Sequence, residues 1–369
     1  MEISQSKKPQ ISAVIFDLDG TLLNTEQVTK DVLKDFLAKY GRAQDAEKEK
    51  RRLGMTFIDS SVTVVNDYDL PLTPEQFREE IVPMYYGRWK LAKPLPGANR
   101  LMKHLHNHGV PFALASNALR KNIDGKISHH DGWKERFKVI LGSDQVKSGK
   151  PSPDIFLEAA ERMGVDPLNC LVIEDSIVGV KAGKAAGMKV VAVPSLQTEA
   201  DSYSIADLIL HSLLEFQPEQ WGLPQFGDWV NDALPIEPIR LTGFFTNGLL
   251  QIYSDDELPD QIWGLFLGFA KFDDSKTSKA VISIGWSLGC DTRRTIKPCM
   301  LEETDVEKYD GKMQLLLLGL LRRSCDEGNK LDNIDITDED RMAADAALDL
   351  PEFCNKSFTS DAENGLCID

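Results

Sequence analysis

Two different spacings of apolar residues divide the chain. From residue 11 to about 210, short apolar runs alternate with stretches of helical period. Ser12-Ala13-Val14-Ile15-Phe16 is apolar and ends at a turn, so it reads as a buried strand. Runs 111–115, 139–142, 171–173 and 189–193 read the same way, and 99–108, 154–163 and 177–186 between them are amphipathic. Strands alternating with helices predict an α/β fold with a mostly parallel, doubly wound sheet. Residues 25–93 carry helical patterns and no convincing strand, which predicts a helical insertion after the first strand.

From about residue 240 the pattern changes. Runs 249–253, 263–267, 280–286 and 313–321 read as strands separated by loops rich in Asp, Gly and Ser. They predict a small, mainly antiparallel barrel or sandwich. A helix follows from Thr337, a good N-cap with Asp338, Glu339 and Asp340 in the first turn, to about Leu348. Between the two parts, 216–238 holds Pro218, Pro224, Pro235 and Pro238 with Trp221 and Trp229. The prolines argue against one continuous element, and the tryptophans argue for a packed connector. The expected organisation is a first domain over 1–215, with its insertion at 25–93, a connector over 216–238 and a second domain over 239–369. The polar stretch 357–369 is expected to be mobile.

Composition narrows the picture. A chain of 369 residues suits two domains, and 42% hydrophobic with 27% charged residues rules out wholesale disorder. The net charge of −16 argues against nucleic acid and anionic membranes as partners, while leaving room for a small basic pocket. No apolar run reaches the ~18 residues of a membrane span; 315–321 is interrupted by Gly319. The first residues show no signal or transit character, so a cytoplasmic setting is expected. Cys170, Cys290, Cys299, Cys325, Cys354 and Cys367 show no CxxC spacing and predict neither a zinc site nor a disulfide scaffold.

Four motifs carry chemistry, each at or near the end of an apolar run, where open α/β sheets bind ligands. The first is Phe16-Asp17-Leu18-Asp19-Gly20-Thr21. Two carboxylates that close together call for a cation, typically Mg²⁺, and a carboxylate can also attack phosphorus. Alone, the motif also fits a solvated Asp-Gly turn. The second is Leu114-Ala115-Ser116-Asn117, whose hydroxyl and backbone N–H groups suit a phosphate oxygen as well as an ordinary turn. In Gly149-Lys150-Pro151-Ser152-Pro153-Asp154, prolines stiffen a loop that presents Lys150. A fixed ammonium there would keep two acids ionised and balance phosphate charge, although a lone lysine is more often a surface residue. The fourth is Val172-Ile173-Glu174-Asp175-Ser176. Asp175 is a further metal ligand or a helix cap, and Glu174 either ligates or supports the ligands.

The order of these motifs resembles the haloacid dehalogenase-like hydrolase superfamily over roughly residues 11–210. The resemblance implies a Mg²⁺-dependent phosphatase in which Asp17 is the nucleophile and Asp19 the general acid/base. It gives Thr21 and Ser116 phosphate contacts, with Gly20 and Asn117 beside them as further phosphate- or substrate-binding residues. Lys150 steadies the charges, and Mg²⁺ sits on Asp17, Asp175 and the Asp19 backbone carbonyl with Glu174 at or behind it. The 25–93 insertion resembles that family's helical cap.

A closer resemblance covers nearly the whole chain. Leu95-Pro96-Gly97-Ala98-Asn99-Arg100-Leu101, Leu114 to Asn117 with Arg120, Ile127-Ser128-His129-His130-Asp131-Gly132-Trp133-Lys134, Trp221-Gly222-Leu223-Pro224 and Ser283-Ile284-Gly285-Trp286 are similar to the plant two-domain riboflavin kinase/FMN phosphatases. This implies a riboflavin kinase-like barrel that could hold a flavin, FMN as first substrate, and Arg120 as a substrate contact. Sugar phosphates, nucleotides and prenyl phosphates are the alternatives. A binding or regulatory protein with an idle phosphatase site is the rival from another class.

Three departures stand out. The family's glycine-rich segment with Pro-Thr-Ala-Asn is missing, and the chain there reads Phe244-Phe245-Thr246-Asn247-Gly248-Leu249-Leu250-Gln251. Its Thr-Ile-Glu-Pro is here Thr295-Ile296-Lys297-Pro298, and a charged Lys can neither hold Mg²⁺ beside a nucleotide nor take a proton. Together they predict a barrel without kinase activity. In the cap, Leu53-Gly54-Met55-Thr56 has Met55 where the plant relatives tend to have Lys. Gly54 and Met55 are therefore candidate substrate contacts, and Arg51, Arg52 or Arg120 are candidates for the missing positive charge.

Overall fold

The computed structural model describes residues 10–52, 55, 57–194, 200–254, 258–272, 276–287, 293–302, 310–323 and 334–355. Gly54, Cys290, Cys325, Cys367 and the stretch 357–369 lie outside the described residues. The chain forms two compact units, Met1–Gln225 and Phe226–Asp369.

The first unit opens with β1 (Ala13–Phe16), then α1 (Thr25–Thr29), α2 (Val32–Ala38), α3 (Ala46–Arg52), α4 (Phe57–Asp67) and α5 (Pro74–Trp89). It continues through α6 (Ala98–Asn107), β2 (Phe112–Ala115), α7 (Arg120–Ile127), α8 (Trp133–Arg136) and β3 (Val139–Leu141). It closes with α9 (Asp154–Met163), β4 (Cys170–Glu174), α10 (Ile177–Ala185), β5 (Lys189–Ala192) and β6 (Leu208–Ile209). The strands form one parallel sheet in the order β3-β2-β1-β4-β5-β6. Every residue of β1, β2 and β4 is buried, as unbroken apolar runs in a sheet covered on both faces require. The strand order reverses between β1 and β4, so a crevice opens beyond their carboxyl ends. Phe16 pairs with Ile173, which sets the residues after β1 beside those after β4.

α9 shows how sequence period becomes packing. Ile155, Phe156, Ala159, Ala160 and Met163 share one face and join the core with Ile15, Ala113, Leu141 and Val172. Gly164, at φ +74°, ends the helix in a left-handed conformation that costs glycine little. The inserted helices have a core of their own from Val32, Phe36, Val64, Tyr68, Phe77 and Ile81. α5 starts on a capping box: Thr73 Oγ1 accepts from the Gln76 N–H at 3.2 Å, and Gln76 Oε1 accepts from the Thr73 N–H at 2.9 Å. The two ends of the insertion are joined, because Lys93 N–H donates to Asn24 Oδ1 at 2.6 Å and Asn24 N–H donates to Lys93 O at 3.1 Å.

The second unit contains β7 (Leu234–Thr246), β8 (Leu249–Ile252), β9 (Gly264–Phe272), β10 (Ser278–Ser287), β11 (Arg293–Met300), β12 (Gly311–Arg322), α11 (Asp338–Leu348) and α12 (Pro351–Cys354). Its antiparallel sheet runs β11-β10-β9-β12-β7-β8, and the edges β8 and β11 lie against each other, so the barrel is nearly closed. α11 buries Ala344, Ala347 and Leu348, and α12 buries Phe353, against Leu265, Leu267, Val281, Leu316 and Leu318. Thr337 caps α11 as expected, with Asp340 N–H donating to its Oγ1 at 3.2 Å. The Arg322 fork bonds both Asp340 oxygens at 2.8 Å and holds that carboxyl down at about 2.

β7 and β11 were not expected from the sequence. β7 starts inside the stretch read as a connector. Pro235 lies opposite Gly319 beside a register shift at Leu317/Gly319, where a missing N–H is tolerated. Pro298 similarly sits in β11, at one end of the strand order. Of the two connector tryptophans, Trp221 is buried, but Trp229 is 49% exposed and so does not pack as expected.

Neighbouring residues on opposite faces of α9 give a direct test. Phe156 is fully buried and Leu157 is 38% exposed. Phe156→Ala should cost about 3–5 kcal/mol and Leu157→Ala under ~1 kcal/mol in urea unfolding of the first unit's transition.

Candidate active site

The crevice beyond β1 and β4 holds a cavity of about 320 Å³. Five carboxylates line it, those of Asp17, Asp19, Glu26, Glu174 and Asp175, against two ammonium groups, Lys126 and Lys150. Asp17 and Asp19 come from the turn after β1, Ser116 and Asn117 from the end of β2, Lys150 from the loop before α9, and Glu174 and Asp175 from the end of β4.

Lys150 sits at the centre. It is buried, and its Nζ donates to Asp17 Oδ1 and to Glu174 Oε1, both at 2.6 Å. Asn117 fixes the loop that carries it: Lys150 N–H donates to Asn117 Oδ1 at 2.8 Å, and Asn117 Nδ2 donates back to Lys150 O at 3.2 Å. Glu174 Oε2 is taken by Ser176, through its N–H at 2.7 Å and its hydroxyl at 2.9 Å. Both Glu174 oxygens are thus engaged by protein donors, and a Cβ on Gly179 would collide with this carboxylate.

Electrostatics follow from this crowding. Burial pushes the Asp17 carboxyl up to about 7 even though Lys150 pulls it down. Burial, then Glu174 and Asp17, push Asp175 well above the usual carboxylate range. Burial also works against the Lys150 charge, but Asp17 and Glu174 outweigh it and hold this ammonium above the ordinary lysine value. One oxygen each of Asp17, Glu174 and Asp175 lies within 4.8 Å of the others. An all-oxygen, carboxylate-rich donor set short of positive charge fits a hard divalent cation such as Mg²⁺.

Several residues singled out in the sequence are placed elsewhere. Thr21 is buried, does not line the cavity, and donates its hydroxyl to Asp175 Oδ1 at 2.9 Å. Gly20, at φ +84°, lies so close to Asp175 that a Cβ would overlap its carboxylate. Arg120 is not brought to the cavity: its guanidinium bonds both Asp124 oxygens at 3.2 Å and Ile140 O at 2.5 Å. Arg51 pairs with Asp67, and Arg52 with Glu49 and Ser60. Neither lines the cavity; Met55 does, at 41% exposure.

Besides Lys150, a second positive charge at the cavity comes from the core. Lys126 on α7 donates to both Asp19 oxygens at 2.7 Å. Thr25 Oγ1 donates to Asp19 Oδ1 at 2.5 Å. Sequence reasoning missed Lys126, Thr25, Glu26 and Asn122. It also missed the apolar wall of Phe57, Val82, Tyr85 and Trp89 presented by α4 and α5. No local sequence signal sets Lys126 apart, because its burial on α7 with Asn122 is a product of the fold.

In the second unit, β7 and β8 are joined by Asn247 and Gly248 at φ +50° and +76°, with Thr246 paired to Leu249. This is a two-residue hairpin turn of Asn-Gly type, with no length for a phosphate-binding loop. Lys297 stands exposed on β11 opposite Ser283. Among the described residues, no helix is long and apolar enough to cross a membrane.

Comparison with known proteins agrees with this geometry. A model of the haloacid dehalogenase-like hydrolases matches residues 11–187. The bifunctional riboflavin kinase/FMN phosphatase of Arabidopsis thaliana is 43% identical, over 96% of this chain and 97% of that protein. The mitochondrial (DL)-glycerol-3-phosphatase 1 of Arabidopsis thaliana is 36% identical, over 61% of this chain and 78% of that protein. Among solved structures, CbbY from Rhodobacter sphaeroides in complex with phosphate matches with a TM-score of 0.50 at 25% identity, over 56% of this chain and 96% of that one. Sheet order, buried Lys150 and clustered acids together with these matches make the chain a member of the haloacid dehalogenase-like hydrolases.

Proposed function

We propose that the chain is a Mg²⁺-dependent phosphomonoesterase with Asp17 as nucleophile. The observation that carries this reading is the buried Lys150 ammonium, 2.6 Å from both Asp17 and Glu174, beside Asp175. Asp17 attacks phosphorus as the ester oxygen leaves with a proton from Asp19, forming an aspartyl-phosphate on Asp17. Asp19 then takes a proton from the water that attacks this phosphorus, which releases phosphate and restores Asp17. Lys150 keeps Asp17 in place and offsets charge on the transferring group. Asp17, Asp175 and the Asp19 carbonyl would hold Mg²⁺, with Glu174 behind them. When bound, the ion would neutralise carboxylate and phosphate charge. Ser116, with its buried hydroxyl at the cavity, is the phosphate contact.

FMN is the first candidate substrate. The Arabidopsis relative named as an FMN phosphatase matches 96% of the chain, and Phe57, Tyr85 and Trp89 give the cavity an aromatic lining suited to a flat ring. Glycerol and other small phosphates are the alternatives. The barrel is not a kinase in this reading, because the Asn247-Gly248 turn leaves no phosphate loop and Lys297 replaces the expected acid. An idle, purely regulatory phosphatase site fits less well, since Asp17, Asp19, Lys150 and Asp175 are all in place.

Phosphate release from FMN, sugar phosphates, nucleotides and glycerol phosphate should require Mg²⁺ and fall on the order of 10³-fold or more in Asp17→Asn. Release that survives this substitution would refute Asp17 as nucleophile.

Stability should follow the Asp17 shift. Its carboxyl titrates near 7 in the fold, against 3.8 for an ordinary aspartate. Between these values the folded chain binds the proton more tightly than the unfolded one, so stability falls as pH rises. In chelator, melting of the wild type from pH 4.5 to 7.5 should lose several degrees relative to Asp17→Asn. Adding Mg²⁺ at pH 7.5 should restore them in the wild type only.

A further inference from the structure

Each of the two acids after β1 has its own lysine. Lys150 serves Asp17, and Lys126 serves Asp19. Lys126 is buried at 7% exposure, and Asp19 is its ion-pair partner among the described residues. Its Nζ lies 2.7 Å from both Asp19 oxygens and 5.0 Å from the centre of the Trp89 ring on the inserted α5. Asn122, one turn earlier on α7, accepts from the Tyr86 hydroxyl of α5 at 3.2 Å. The ammonium is therefore walled by an aromatic ring, and the carboxylate that it holds also takes the Thr25 hydroxyl.

We propose that Lys126 is a positioning residue for Asp19, holding its carboxylate in the orientation for proton transfer to the leaving oxygen. This rests on the phosphomonoesterase reading. In the first half-reaction the protonated Asp19 carboxyl gives its proton to the ester oxygen as the P–O bond breaks and the Asp17–phosphorus bond forms. The Asp19 carboxylate so produced finds an ammonium already beside both oxygens. Two donors on separate elements, Lys126 from α7 and Thr25 from α1, restrict its rotation. This cation, supplied by α7, is in place beside Asp19 before any substrate arrives.

Leaving-group dependence separates this role from a merely structural one. An alkyl phosphate that the unaltered chain hydrolyses needs its leaving oxygen protonated, whereas p-nitrophenyl phosphate hardly does. In Lys126→Met, kcat/KM should fall about 10–100-fold for the alkyl ester and less than ~3-fold for the nitrophenyl ester. Lys126→Arg keeps the charge but changes its geometry, and should give a smaller loss with the same bias. If Lys126→Met does not fold, Lys126→Arg alone decides the matter. Equal losses on both esters, or a change confined to KM, would overturn the positioning role while leaving the phosphatase reading intact. No phosphate release from either ester by the unaltered chain would overturn both.

Discussion

A surplus of buried negative charge at the junction of β1 and β4 is the constraint on which the rest of this structure depends. Asp17, Glu174 and Asp175 approach within 4.8 Å in a setting that raises Asp17 to about 7. Isolated buried carboxylates would cost several kcal/mol each without partners. Lys150 offsets two of them, and its own backbone is clamped on both sides by Asn117. What remains uncompensated suits a hard cation. Gly20 and Gly179 follow from the same crowding, since a side chain at either would displace a carboxylate.

The fold supplies this crowding through topology rather than through local sequence. A strand order of β3-β2-β1-β4-β5-β6 places two strands that are more than 150 residues apart side by side. Their carboxyl ends open one crevice, and the inserted α1–α5 bring an apolar wall to it. The cavity thus has a polar floor of acids and lysines and an apolar wall of Phe57, Val82, Tyr85 and Trp89. The second unit forms a nearly closed antiparallel barrel and joins β7 to β8 with a two-residue turn.

Much of this was legible in the sequence because buried parallel strands and acids at their ends leave strong local signals. The four motifs placed Asp17, Asp19, Ser116, Asn117, Lys150, Glu174 and Asp175 at one cavity. Thr21 and Arg120 lie apart from the cavity lining because side-chain direction depends on neighbours distant in sequence. Thr21 turns to Asp175, and Arg120 turns to Asp124 and Ile140. Lys126 was missed for the same reason: on α7 it looks like an ordinary helical lysine until the fold sets Asp19 beside it. β7 and β11 were missed because Pro235 and Pro298 read as breakers, although a register shift and a place at one end of the strand order accommodate them.

In the proposed reaction Asp17 itself carries the phosphoryl group. Borohydride added during turnover would reduce an aspartyl-phosphate to homoserine, and peptide mass spectrometry would locate it. Homoserine is expected at position 17, dependent on both substrate and Mg²⁺. Turnover with aspartate intact at position 17, or homoserine appearing at another acid, would contradict it.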